Sequence, residues 1–194
     1  NAFRIGYVRE QLSRAFGADP ADEQPLKDLR LLDIGSGGGI LSESMARLGA
    51  RVTGIEVTEK NVKVSKLHAE WSALDIDYRL ATAEDLAGTG EQFDAVLNME
   101  VVEHVENLSA FLPVCGELVR PGGLMVVATL NRTLAALLIA IFGAEYVLGW
   151  MPKGTHHWRK LVKPSQVTGA LEDSFRLVDR TGVRINPLDR SFHF

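Results

Sequence analysis

Three residues stand out by type and spacing: Glu100, Glu103 and His104, in the stretch NMEVVEHVEN that follows the apolar run FDAVL. If a helix begins near Glu100, the three fall at i, i+3 and i+4, on one face and pointing the same way. Two carboxylates and an imidazole so placed suit Mg, Mn or Zn; the hard oxygens favour Mg, and the imidazole keeps the other two in play. An ion held there would acidify a coordinated hydroxyl and fix its direction. His104 can alternatively act alone as a general base. Glu100 and His104 are therefore the candidate catalytic residues, and Glu100, Glu103 and His104 the candidate metal ligands. The plainer alternative is that Glu100 and Glu103 only charge a helix N-terminus, an effect of about 0.3 to 1 kcal/mol.

A second chemical feature is LLDIGSGGGI, where a strand gives way to a helix. Gly35, Gly37, Gly38 and Gly39 permit positive φ and close approach of a ligand to the main chain. A dinucleotide fingerprint would place glycine at the sixth position from Gly35, but that residue is Ile40. Glu56, at the end of the following strand, is instead positioned to accept hydrogen bonds from two ribose hydroxyls, as a carboxylate does for an adenosine without a ribose phosphate.

These residues must be held by a larger frame. From Leu29 onward short apolar runs alternate with helical patterns, the mark of βα units feeding a parallel sheet. RLLDIG, RVTGIEV, IDYRLAT, FDAVLNM and LMVVATL read as five strands, with helices over ILSESMARLG, EKNVKVSKLHAEWSA and LSAFLPVCGELV, the last stopped by RPGG. The first residues, NAFRIGYVREQLSRAFG, read as an amphipathic helix ahead of the sheet. KPSQVTGALEDS, with Pro164 near its start, then FRLVDRTGVRI, restore helix and strand at the end. The expected fold is α/β: a doubly wound, mostly parallel sheet with helices on both faces and a last strand missing or incomplete. Between about 132 and 163 an apolar and basic insertion interrupts the rhythm of one domain spanning 1–194, and is too long for a tight crossover.

The chain has 194 residues, 46% of them hydrophobic, enough for one well-buried domain. A net charge of -4 argues against a nucleic-acid partner. The single cysteine, Cys115, cannot bridge internally and reads as a packing residue in a reducing compartment. The start at Asn1 reads as a trimmed end. No run reaches the length of a spanning helix, since Glu145 and glycines interrupt the most apolar segment. Leu134 to Met151, followed by Lys153, His156, His157, Arg159, Lys160 and Lys163, reads either as an interfacial element with a basic rim or as a lid helix packed on the domain.

The motif Asp33-Ile34-Gly35-Ser36-Gly37-Gly38-Gly39 with Glu56, AEDL at Ala83 to Leu86, and LVRPGG at Leu118 to Gly123 resembles class I S-adenosylmethionine-dependent methyltransferases, which have a Rossmann-like fold. The combination of NMEVVEHV, LNRT, GAEYVL and PKGTHHWRK resembles more narrowly the O-methyltransferases of ubiquinone biosynthesis, over nearly the whole chain. That resemblance implies methyl transfer from S-adenosylmethionine to a hydroxyl of a polyprenyl catechol or hydroxybenzoquinol. It implies cofactor contacts from Arg4, Asp33, Gly35, Gly37, Glu56 and Met99, with Arg4 approaching the cofactor carboxylate, and a divalent cation at the E-x-x-E-H cluster. A polyprenyl phenol or quinol substrate, a peripheral membrane surface, a ubiquinone-biosynthesis complex, and a site in the cytoplasm or mitochondrial matrix beside the inner membrane follow as expectations. Ser36 and Glu56 depart from the cysteine and aspartate more common there, and both keep the chemistry. The rival expectations are a metal-independent methyltransferase of another small phenol, carboxylate or amine, and a non-catalytic S-adenosylmethionine-binding module.

Overall fold

The computed structural model describes residues 2–129, 162–182, 184–185 and 192–193. Strands β1 (Arg30–Ile34), β2 (Arg51–Glu56), β3 (Ile76–Leu80), β4 (Phe93–Met99) and β5 (Val119–Ala128) form one sheet in the order β3-β2-β1-β4-β5, with every pairing parallel. Helix α1 (Ala2–Ala15) precedes the sheet; α2 (Ile40–Arg47), α3 (Glu59–Trp71), α4 (Ala83–Ala87) and α5 (Leu108–Glu117) connect its strands, and α6 (Pro164–Leu171) follows.

Successive strand residues point to opposite faces, and both faces are covered. Leu31, Val52, Ala95 and Leu97 pack with Val8 and Leu12 of α1 and Met45 of α2. Leu32, Val96 and Ile34 pack on the other side with Phe111, Leu112 and Cys115 of α5, and Val167 of α6 joins that core. This two-sided burial explains why β4 is an unbroken apolar run from Ala95 to Leu97. Burial pushes the Cys115 thiol up to about 12, so this residue packs and does not react.

Several local features differ from the sequence expectation. No helix begins near Glu100: that residue sits in the left-handed region at φ 61, residues 102–104 form a turn, and α5 starts only at Leu108. The reason is local, since Asn107 caps α5 by accepting a 3.2 Å hydrogen bond from the Ala110 amide, the preferred way to satisfy an orphan helix donor. α4 is a helix that the sequence pattern does not predict; Thr82 and Asp85 start it with a reciprocal capping box. RPGG lies inside β5, because Val119 already pairs with Phe93 before the register shifts at Ala95. Residues 175–182 are not a strand, and β6 (Arg184–Ile185) pairs antiparallel with β7 (Phe192–His193). These two short strands therefore pair where the sequence pattern predicts no such pairing. Most of the insertion, including Leu134 to Met151 and the basic residues up to Lys160, lies outside the described residues.

Candidate active site

In the order 3-2-1-4-5 the direction of winding reverses between β1 and β4, and the crevice at the carboxyl ends of those strands is where open α/β sheets bind ligands. The chain places Asp33 to Gly39 there from β1, and Met99 to Asn107 from β4. The turn after β1 is tight: the amides of Gly35 and Ser36 both donate to the Ile55 carbonyl, at 2.9 and 3.0 Å. Gly35 has φ 69, and a Cβ there would stand 2.5 Å from Val101 Cγ2, so any side chain would push the two halves of the crevice apart.

Two cavities meet at Gly35. The larger, about 440 Å³, lies toward β2 and is walled by Ile34, Ile55, Val101, Val105 and Phe111, with Glu56 and His104 on its lining. The smaller, about 180 Å³, lies toward α1 and is lined by Arg4, Asp33, Ser36, Gly38 and Met99 among others. A ligand crossing from one to the other must pass the bare backbone of the glycine loop.

Glu56 is buried and fixed at both oxygens: Oε2 accepts from the Gly37 amide at 3.1 Å and Oε1 from the Thr58 amide at 2.9 Å. Burial opposes ionisation, but the hydrogen bonds from Thr58, Asn61 and Gly37 outweigh it and hold the carboxyl below the usual glutamate range. A carboxylate has about four lone-pair sites, so a ribose diol would take the places that the Asn61 and Thr58 side chains hold beside the two amides.

Asp33 is almost wholly buried and accepts a 2.6 Å hydrogen bond from Ser42 Oγ. Burial raises its pKa to about 6, against the lowering by Ser42. A carboxyl raised in the folded state contributes stability that is complete below its unfolded pKa of 3.8 and is lost as pH rises through about 6. Ligand-free protein is therefore expected to lose stability between pH 4 and 7 through this group, and Asp33→Asn to flatten that decline, as read by urea unfolding at both pH values.

The residues of the charged cluster are dispersed. Glu100 Oε1 accepts a 2.6 Å hydrogen bond from Arg4 Nη2 in an ion pair at the mouth of the smaller cavity. Glu103 is buried and its Oε1 accepts from Thr129 Oγ1 at 2.9 Å. His104 is exposed on the wall of the larger cavity. The expected single helical face is thus corrected: the turn sends the three side chains to three different surroundings. Among the described residues no group of three or more His, Cys, Asp or Glu is arranged to hold a metal ion. As they stand, Glu100, Glu103 and His104 do not fit a shared cation, and no step of the chemistry below passes through one.

S-adenosylmethionine does fit. The Ser36 hydroxyl is buried beside the smaller cavity with no hydrogen-bond partner among the described residues, and Gly37 and Gly38 face open space where side chains would otherwise stand. Thr58, Asn61 and Thr82 were missed by sequence reasoning. The first two hold Glu56, and Thr82 both lines the larger cavity and caps α4. Only the last carried a readable signal, the Thr82-x-x-Asp85 spacing.

A parallel sheet with this crevice, glycine cradle and strand-two carboxylate defines the class I S-adenosylmethionine-dependent methyltransferases. Residues 32–127 match the methyltransferase domain family. A ubiquinone biosynthesis O-methyltransferase of Mesorhizobium japonicum is 55% identical over 97% of this chain and 76% of its own length. One from Sinorhizobium medicae is 52% identical over 100% of this chain and 78% of its own. The solved structure of magnesium protoporphyrin IX methyltransferase from Synechocystis, with bound S-adenosylhomocysteine, superposes with TM-score 0.68 at 22% identity, covering 94% of this chain and 79% of that one, which supports the fold. The chain belongs to the family of ubiquinone biosynthesis O-methyltransferases, S-adenosylmethionine-dependent enzymes.

Proposed function

We propose that this protein methylates a hydroxyl of a polyprenyl catechol or hydroxybenzoquinol, with the cofactor lying across Gly35 from Glu56 in the larger cavity to Arg4 in the smaller one, and the acceptor ring meeting it beside His104. Bound S-adenosylmethionine supplies an electrophilic methyl group on sulfur. Glu56 receives the ribose hydroxyls, Arg4 the cofactor carboxylate, and Asp33 the charge of its ammonium group, while Gly35, Gly37 and Met99 give the backbone close approach. His104 takes the proton from the acceptor hydroxyl, converting a weak nucleophile into a phenolate within reach of the methyl group.

The observation that carries this reading is the position of His104 on an apolar wall of Val101, Val105 and Phe111 in the cavity that also contains Glu56. That apolar wall suits an aromatic ring, and His104 beside it would be the general base for the ring's hydroxyl. The test is transfer of labelled methyl from S-adenosylmethionine to a short-prenyl catechol, with the product's methylated position fixed by mass spectrometry. Transfer to oxygen is expected; no transfer to any catechol or quinol would overturn the assignment. Divalent-cation assistance is no part of this route, because it would require Glu100 to leave Arg4 and Glu103 to leave Thr129. Chelation followed by return of Mg, Mn or Zn reads it directly. Association with a membrane surface or a biosynthetic complex rests on the greasy acceptor alone and is read by co-sedimentation with vesicles and by co-purification.

A further inference from the structure

Among the described residues that line the smaller cavity, Arg4 is the one cationic side chain, and it is already engaged by Glu100 at 2.6 Å. The two residues are 96 positions apart, one in the first turns of α1 and the other just past β4. Glu100 reaches Arg4 from a left-handed backbone at φ 61, with its own amide bound to the Ala128 carbonyl at 2.8 Å. That conformation, uncommon for a residue with a side chain, turns the carboxylate off the line of the strand. The geometry points to a carboxylate exchange: we propose that Glu100 occupies Arg4 while the crevice is empty and is displaced by the carboxylate of the incoming S-adenosylmethionine or S-adenosylhomocysteine. This rests on the proposed placement of the cofactor and adds to it a competitor built into the chain.

The exchange is feasible because the pair is weak. Its side chains are 45% and 42% exposed, and ion pairs of that exposure shift an equilibrium by at most about fivefold. A guanidinium fork gains more from a carboxylate that is simultaneously held by ribose contacts, since the second contact is then intramolecular. The amino-terminal turns of α1 are suited to small adjustment: Val8 and Leu12 anchor the helix in the core, whereas Arg4 is exposed. Cofactor binding would thereby do two things at once, seating its own carboxylate and releasing Glu100 at the edge of the active site. A ligand-dependent population shift of this kind lowers apparent affinity by the fraction of molecules in which Arg4 is occupied.

The experiment is calorimetric titration of wild type, Glu100→Gln, Arg4→Met and the double variant with S-adenosylhomocysteine and with 5′-methylthioadenosine, which lacks the amino-acid carboxylate. Glu100→Gln is expected to tighten S-adenosylhomocysteine binding about three- to fivefold and to leave methylthioadenosine unchanged. In the Arg4→Met background the same glutamate substitution should have no effect. Equal or weaker S-adenosylhomocysteine binding by Glu100→Gln overturns the exchange, as does an equal gain for both ligands, which would mean a general loosening of α1. Failure of wild type to bind either ligand would instead overturn the cofactor assignment, and the exchange with it.

Discussion

Glu56→Ala is expected to weaken S-adenosylhomocysteine binding roughly a hundredfold. Hydrogen bonds to a charged group contribute about 1.5 to 3 kcal/mol each. Losing two ribose contacts, each at the low end of that range, removes about 3 kcal/mol, and every 1.4 kcal/mol is tenfold in affinity. The same substitution frees the Gly37 and Thr58 amides, which Glu56 holds at 3.1 and 2.9 Å, so the glycine loop loses its tie to β2. Glu56→Gln should fall in between, because its amide group must present N–H to one of two backbone donors. Glu56→Asp keeps the charge and shortens the reach by one methylene, and should lose the least. The pH dependence has a definite sign: the hydrogen bonds that overcome burial keep Glu56 ionised below the usual glutamate range, so affinity should hold through mild acid and fall only beneath that range. Calorimetry on folded variants checks the series, and an undiminished affinity in Glu56→Ala would remove the carboxylate from the cofactor site.

The frame that presents Glu56 was readable because its signals are local. FDAVLNM reads as a strand with the bounds that Phe93–Met99 has, since the apolar residues Phe93, Ala95, Val96, Leu97 and Met99 outweigh Asp94 and Asn98 in the run. Cys115 in the core and Pro164 in the first turn of α6 follow equally from neighbours in sequence. The charged cluster misled for a physical reason. Spacing at i, i+3 and i+4 gives one face only if the backbone is helical, and the left-handed Glu100 together with the Asn107 cap delays that helix to Leu108. The cap was visible as Asn107 before LSA; the backbone reversal at Glu100 was not, because nothing in a glutamate announces positive φ. The Arg4 contact with Glu100 and the Thr129 contact with Glu103 span 96 and 26 residues, and no periodicity encodes them.

That dispersal narrows the question of how the acceptor is activated. With Glu100 engaged by Arg4 and Glu103 by Thr129, His104 is the member of the trio that faces the larger cavity. Its placement is secured by backbone: the His104 amide donates to the Val101 carbonyl at 2.8 Å, closing the turn, while Val102 is buried as its anchor. The imidazole is therefore presented by a structured turn and not by a free loop. As the proposed base, His104 would need only to meet the acceptor hydroxyl at hydrogen-bond distance, and its contribution would fall on the chemical step.

His104→Ala is accordingly expected to lower kcat by about 10²- to 10⁴-fold, the usual worth of a positioned general base. KM for the catechol should move by only a few-fold, because the apolar wall of Val101, Val105 and Phe111 remains. Affinity for S-adenosylhomocysteine should stay within about twofold of wild type, since the side chains proposed for its ribose and carboxylate, Glu56 and Arg4, are untouched and a lost contact of 1.4 kcal/mol would already show as tenfold. The residual activity should climb with pH as the acceptor ionises in solvent. Imidazole added to the variant supplies a diffusible base and should restore part of the rate, a response that a merely structural histidine would not give. An unchanged kcat in His104→Ala would mean that the acceptor loses its proton elsewhere, and would return Glu103 to consideration, whose buried carboxylate is the acidic group on the same turn.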